Sequence, residues 1–109
     1  MVKKGGIDMI KRYYKIGIDI PDNKFVKLIS DHLYSLGYKW CSDFRDESFY
    51  DKVTNECIRS NVRGIGVECN GRMSYNVVKN QTEKWYSLEE YVIKYDLVIE
   101  YEGLKMGLL

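Results

Sequence analysis

The stretch Cys57 to Val78, CIRSNVRGIGVECNGRMSYNVV, decides the fold: alternating apolar residues run into Asn70-Gly71 and a second alternating run leaves it. That pattern is a β-hairpin. A two-residue loop at Asn70-Gly71 would set Cys69 opposite Arg72, and the apolar sets Ile65/Val67/Cys69 and Met73/Tyr75/Val77 would then face opposite sides. A sheet with one buried face does not accept that register. A three-residue loop, Cys69-Asn70-Gly71, with Gly71 left-handed in a G1 bulge, pairs Val67 with Met73 and Ile65 with Tyr75. One face is then apolar. The other carries Glu68 opposite Arg72, Gly66 opposite Ser74 and Gly64 opposite Asn76, a nearly bare polar strip.

Upstream, Tyr14, Ile16, Ile18 and Ile20 alternate with Tyr13, Lys15, Gly17 and Asp19, which reads as a strand with one face buried. Pro21 ends it, and Asp22 or Asn23 caps a helix running to about Leu36, with Phe25, Val26, Ile29, Leu33 and Leu36 on its apolar side. Gly37 is placed for the left-handed C-cap. His32, the single histidine, sits at the edge of the apolar stripe with no partner that the sequence nominates. Tyr38 to Ser42 reads as a short strand in which Tyr38 and Trp40 share a packing face. The segment Asp43 to Glu56 reads as an acidic loop with a short helix after Ser48.

Downstream of the hairpin, Lys79 to Glu83 reads as loop. Ser87-Leu88-Glu89-Glu90 is a capping box with Tyr86 and Tyr91 as its staple, and Leu88, Tyr91, Val92 and Tyr95 make the buried stripe of a short helix. Alternation at Leu97, Ile99 and Tyr101 predicts a last strand. The expected order is β-α-β-β-β-α-β: an α+β domain with a single antiparallel or mixed sheet of four to five strands and two helices on one face. A single domain over residues 13–102 would lie between a basic N-terminal tail, 1–12, and a C-terminal tail, 103–109.

The chain has 109 residues, 45% of them hydrophobic and 30% charged, which is ordinary for a globular domain with its own core. A net charge of +1 gives no general attraction to nucleic acid or an anionic membrane, so nonspecific DNA binding is disfavoured. No apolar run approaches the roughly 20 residues of a membrane span, and Met1 to Ile10 lacks a signal-peptide core, so the expected location is the cytoplasm. Cys41, Cys57 and Cys69 lack metal-ligand spacing and read as buried or half-buried thiols; no metal site or cofactor is expected. The absence of alanine and the single proline, beside many lysines, asparagines, isoleucines and tyrosines, fit an AT-rich bacterial or phage genome. Codons for Lys4-Gly5-Gly6 can spell a ribosome-binding sequence, which makes Met9 a candidate natural start.

Leu33-Tyr34-Ser35-Leu36-Gly37-Tyr38-Lys39-Trp40, followed by Tyr86-Ser87-Leu88-Glu89-Glu90-Tyr91, resembles small proteins encoded by phages and prophages. The resemblance, over about Tyr13 to Tyr95, implies a phage-type origin and a strand, a helix, a hairpin and a late short helix. It carries no catalytic or binding residues.

Three classes of function follow. The first is a non-enzymatic binding module that occupies a host or phage protein, a defence protein included, with Phe44, Phe49 and Tyr50 as exposed aromatic anchors in the acidic segment. The second is a small-ligand or nucleotide-sequestering protein, with Arg59, Arg63 and Arg72 around a strip left open by Gly64 and Gly66. Gly64-Ile65-Gly66 is no phosphate loop, because no helix follows it. The third is an enzyme, for which no catalytic residues assemble from the sequence, or a single-stranded nucleic-acid binder using Tyr38, Trp40 and the arginines. Homo-oligomerisation through a sheet edge or an aromatic patch is open.

Overall fold

A computed structural model of the chain describes residues 14–40 and 47–107, the side chains of residues 47–49 excepted. The expectations for the N-terminal tail, for Met9 as a start and for Phe44 and its neighbouring carboxylates lie outside the described residues.

Strand β1 (Tyr14–Asp19) stops before Pro21, and the Asp22 carboxylate accepts from the Lys24 N–H at 3.0 Å to open a single 3-10 turn, Asn23–Phe25. Helix α1 (Val26–Ser35) continues from it and buries Val26, Ile29 and Leu33. It ends as expected: Gly37 adopts φ +99°, its N–H donates to Tyr34, and the Tyr38 N–H reaches back to the Leu33 carbonyl at 3.1 Å. Leu36, expected on the apolar stripe, is 54% exposed because it follows the last helical turn and leaves the buried face.

The two-residue β2 (Lys39–Trp40) precedes a helix much longer than expected, α2 (Glu47–Arg59). Its inward residues are Tyr50, Thr54 and Cys57, at i, i+4 and i+7. A threonine in the middle of that stripe disguises it, so Cys57, Ile58 and Arg59 belong to this helix and not to the hairpin strand. Asn61, at φ +57°, closes α2 in the same way as Gly37 closes α1, with the Val62 N–H donating to Cys57.

The hairpin forms in the expected register. Strands β3 (Gly64–Val67) and β4 (Arg72–Tyr75) pair Ile65 with Tyr75, Gly66 with Ser74 and Val67 with Met73, and Gly71 adopts φ +91°. Ile65, Val67 and Met73 are fully buried on one face, while Tyr75 at the rim is 48% exposed and meets the Trp40 ring edge-on. A 3-10 turn, Lys79–Gln81, leads into β5 (Thr82–Tyr86), which corrects the expected loop. The charged pair Glu83-Lys84 hid this strand, whose one neighbour among the described residues is β1.

The capping box forms around Ser87, with its hydroxyl accepting from the Glu90 N–H at 3.1 Å and Glu90 reaching back at 2.8 Å, and it starts α3 (Leu88–Lys94). The expected last strand is instead a helix, α4 (Val98–Lys105). Asp96 at φ +60° turns the chain, and Leu97, Tyr101 and Leu104 then point inward at helical spacing while Ile99 is 86% exposed. A short run apolar at 97, 99 and 101 satisfies both periods; packing of Tyr101 on Phe25, ring centroids 5.3 Å apart, selects the helix. Helix α4 thus runs on past residue 102, where the tail was expected to begin.

The five strands form one mixed sheet in the order β2-β4-β3-β1-β5. β1 is antiparallel to β3 and parallel to β5; β4 is antiparallel to β3 and parallel to β2. The fold is therefore α+β with a single sheet, as the sequence predicts, but among the described residues four α-helices supply side chains to one core that holds Ile18, Ile65, Val67 and Met73.

The opposite face is built on glycine. Gly17 lies beside Gly66 in the β1–β3 register and beside Trp85 in the β1–β5 register. After Asn76, at φ +59°, the chain folds over this face, and the Val77 N–H donates to Gly64 O at 3.3 Å. A Cβ on Gly64 would run into the Val77 carbonyl, one on Gly66 into the Val77 methyls, and one on Gly17 into Trp85 and Thr82. The expected polar strip is therefore covered. The two parallel crossovers, β1 to β2 and β4 to β5, run in opposite directions across the sheet, so a common right hand puts them on opposite faces.

Because backbone meets backbone at Gly64, Gly64→Ala is expected to destabilise the fold by about 3 kcal/mol, against about 1 kcal/mol for Gly71→Ala, where space is open and the left-handed φ is the cost. Urea unfolding of both variants checks the order; equal losses would mean that Val77 does not rest on the strand.

Candidate functional site

Tyr50, expected as an exposed anchor, belongs to the core. It is 6% exposed, and its ring stacks on Tyr34 with centroids 4.2 Å apart. Its hydroxyl donates to the Asp31 carboxylate, whose second oxygen holds Lys27 Nζ at 2.9 Å. One helical turn along α2, the buried Thr54 hydroxyl borders the Tyr50 oxygen and accepts from Trp40 Nε1 at 3.0 Å. A polar chain thus runs from the edge strand β2 through α2 to the surface of α1. Burial first, then Asp31, push the Tyr50 phenol far above its ordinary pKa, so it remains a neutral donor. Phe49 lies on the same helix with its side chain outside the described residues, as is all of Phe44. Tyr50 itself is therefore no part of an exposed aromatic surface.

The arginines do not converge. Arg63 donates to the Pro21 carbonyl and ties the β1–α1 turn to the start of the hairpin, while Arg59 pairs with Glu56 one turn back on α2. Arg72 stands opposite Glu68, at the other end of β3, with the Glu68 N–H donating to its carbonyl at 2.8 Å. About four residues of strand, roughly 13 Å, separate Gly64 from that end. Between them Gly64 and Gly66 are already occupied by Val77, with Trp85 across Gly64, so a flat ligand has no backbone to lie against.

His32 acquires the partner that the sequence did not name. Its Nδ1 lies 2.8 Å from the Tyr91 hydroxyl across the seam between α1 and α3, and its ring packs within 5.1 Å of the Tyr95 centroid. Tyr91 is fully buried, and Tyr95, Tyr38 and Tyr86 border its phenol. Donation from the buried phenol to Nδ1 goes with a neutral His32 that carries its proton on Nε2. Burial lowers the His32 pKa below its ordinary 6.5, in line with a neutral ring locking two helices together. Cys57 is likewise interior, its thiol pushed up to about 11 by burial, whereas Cys69 at the hairpin loop is exposed, unlike the buried or half-buried thiols expected. Among the described residues no three His, Cys, Asp or Glu side chains gather as a metal site.

Exposed apolar side chains concentrate instead on the two C-terminal helices. Ile93 on α3 is 70% exposed, and Val98, Ile99 and Met106 at α4 are 38%, 86% and 68% exposed. Acidic residues outnumber basic ones around them, with Glu89, Glu90, Asp96, Glu100 and Glu102 against Lys94 and Lys105. Reading residues 97–101 as a strand concealed this surface, because it turned Ile99 inward. The signal that reveals it is the i, i+4, i+7 spacing of Leu97, Tyr101 and Leu104.

Two outcomes follow from the interior polar groups. Tyr50→Ser is expected to cost about 3 kcal/mol by emptying a packed site, while Tyr50→Phe costs about 1 kcal/mol through the lost bond to Asp31; denaturant titration separates them, and a harmless serine would place the ring at the surface. His32 binds its proton more weakly folded than unfolded, so its contribution to stability is complete above pH 6.5 and is lost as pH falls below that value toward the lowered folded pKa. Unfolding free energy measured from pH 7.5 to 4.5 should rise with pH more steeply in the wild type than in His32→Asn. Comparisons with protein-family models, with curated proteins and with solved structures give no match to this chain.

Proposed function

We propose that this chain is a small non-enzymatic binding module of phage type that acts by protein–protein contact in the host cytoplasm, with the exposed face of α3 and α4 as its contact surface. The observation that carries the reading is the exposure of Ile93, Val98, Ile99 and Met106 on two short consecutive helices. Isolated exposed apolar residues are ordinary, but large ones gathered on neighbouring elements mark interaction surfaces. The resemblance to phage-encoded proteins supports a host or phage protein as partner. No helix among the described residues is long and apolar enough to cross a membrane.

The polar groups favour the same reading. His32, Asp31, Tyr50 and Thr54 are engaged in bonds between elements of the fold. The nucleotide-sequestering reading loses its support with the covered glycines and the separated arginines.

Ile99→Asp combined with Met106→Asp is expected to leave unfolding free energy within about 0.5 kcal/mol of wild type, since both side chains are exposed. The same pair of changes should abolish capture of a stoichiometric protein by the tagged chain from bacterial lysate. Equal capture by both forms would move the contact away from these helices.

A further inference from the structure

Asn70 is one of six asparagines in the chain and the one that glycine follows. Asparagine is a chemically labile side chain, and in this setting the lability has a definite course. The backbone nitrogen of the next residue attacks the side-chain carbonyl carbon. A new C–N bond closes a five-membered imide, the Cγ–NH2 bond breaks, and ammonia leaves with the proton taken from the attacking nitrogen. Water then adds to one of the two imide carbonyls and reopens the ring. One opening gives aspartate. The other gives isoaspartate, in which the chain runs through the side-chain carbonyl and the backbone is one methylene longer. Glycine in second place favours the attack, because no Cβ shields its nitrogen and its backbone turns freely.

The folded loop occupies both reacting groups. The Gly71 N–H donates to the Glu68 carbonyl at 3.1 Å, closing a β-turn, and Asn70 Oδ1 accepts from the Arg72 N–H at 3.2 Å. The nitrogen and the carbonyl carbon therefore combine only after that turn has opened. Sterically the loop offers no other protection: Asn70 is exposed, and beyond its chain neighbours nothing lies within 4 Å of a Cβ built on Gly71. The peptides on either side join three strands. Gly71 O accepts from the Lys39 N–H at 3.0 Å, which ties β2 to the end of the hairpin, and the Glu68 N–H donates to Arg72 O at 2.8 Å. A methylene added at position 70 lengthens the connection that sets Val67 opposite Met73.

We propose that Asn70 is a site of spontaneous modification gated by the hairpin: the closed turn withholds it from imide formation, and an opened turn lets it convert to isoaspartate, after which the three-residue loop no longer re-forms. The device is one-way. A chain that stays folded keeps Asn70, whereas a chain whose hairpin has stood open is marked and loses the register on which its sheet is built. It is independent of the contact surface on α3 and α4.

Incubation of the full chain at mildly alkaline pH, with and without denaturing guanidinium chloride, followed by peptide mapping with mass spectrometry, tests this. In denaturant Asn70 should convert ahead of Asn23, Asn55, Asn61, Asn76 and Asn80. Without denaturant its conversion should be on the order of a hundredfold slower, as expected when the reactive form is a minor, locally opened one. The isoaspartate form, separated by chromatography and returned to native buffer, should unfold at a lower denaturant concentration than the Asn70→Asp variant. That variant carries the same charge on an ordinary backbone, and its side-chain oxygen still accepts from the Arg72 N–H, so it isolates the added methylene from the added charge. Conversion of another asparagine ahead of Asn70 in denaturant overturns the assignment of the site. Equal rates in the two buffers overturn the gate. An isoaspartate form as stable as Asn70→Asp shows that the loop accepts the longer backbone, and overturns the one-way device.

Discussion

The register of the β3–β4 hairpin is the constraint on which the rest of the molecule depends. Gly71, held at φ +91°, makes the loop three residues long, and that length sets Val67 opposite Met73. A slip of one residue would turn the apolar set to the far side of the sheet. With this register, Ile65, Val67 and Met73 join the core to which the helices contribute, while Gly64 and Gly66 fall together on the reverse. The reverse face then accepts a crossing chain at backbone distance. β5 can reach the far side of β1 because Val77 lies flat over those glycines, and Trp85 closes over Gly17 and Gly64.

Around that core the helices are fixed at their ends and by a few interior polar bonds. α1, α2 and α3 each stop on a left-handed residue, Gly37, Asn61 and Asp96, with the following N–H returned to the last turn. Each stop turns the chain sharply, and each is followed at once by the next element. Between helices, the polar groups that burial would penalise are matched: Tyr91 with His32, Trp40 with Thr54, Tyr50 with Asp31. Ser30 is the exception among the described residues, a fully buried hydroxyl without a hydrogen-bond partner. The matched pairs orient α1 against α2 and α3, and they account for why the chemically versatile side chains of this chain are occupied with holding it together.

The C-terminal helices stand apart from this arrangement. Tyr101 anchors α4 through Phe25 and through a 3.0 Å bond to Glu89, yet the opposite side of the same helix is apolar and open to solvent. Such a face costs solubility unless something covers it. A short helix held by one aromatic anchor, with an apolar stripe turned outward, suits reversible contact better than a role in the core.

Several features are written in local sequence because they depend on residues a few positions apart. The three-residue turn, the Gly37 stop, the capping box at Ser87 and the alternating strand β1 are of this kind, and each forms as its residues predict, although β1 is covered on both faces where Trp85 and Thr82 close over Gly17. Tertiary structure decided the elements whose local signal is ambiguous or masked. Thr54 breaks the apolar stripe of α2 on paper, but its hydroxyl is satisfied by Trp40, so the stripe is buried all the same. Leu97 to Tyr101 fits a strand and a helix equally, and the ring of Phe25 chooses between them. β5, with charges at its centre, is a strand because β1 has a free edge and Gly17 leaves room for Trp85. The candidate surface was hidden for the same reason: whether Ile99 points inward or outward depends on what α4 packs against, and that partner lies more than 70 residues away in the chain.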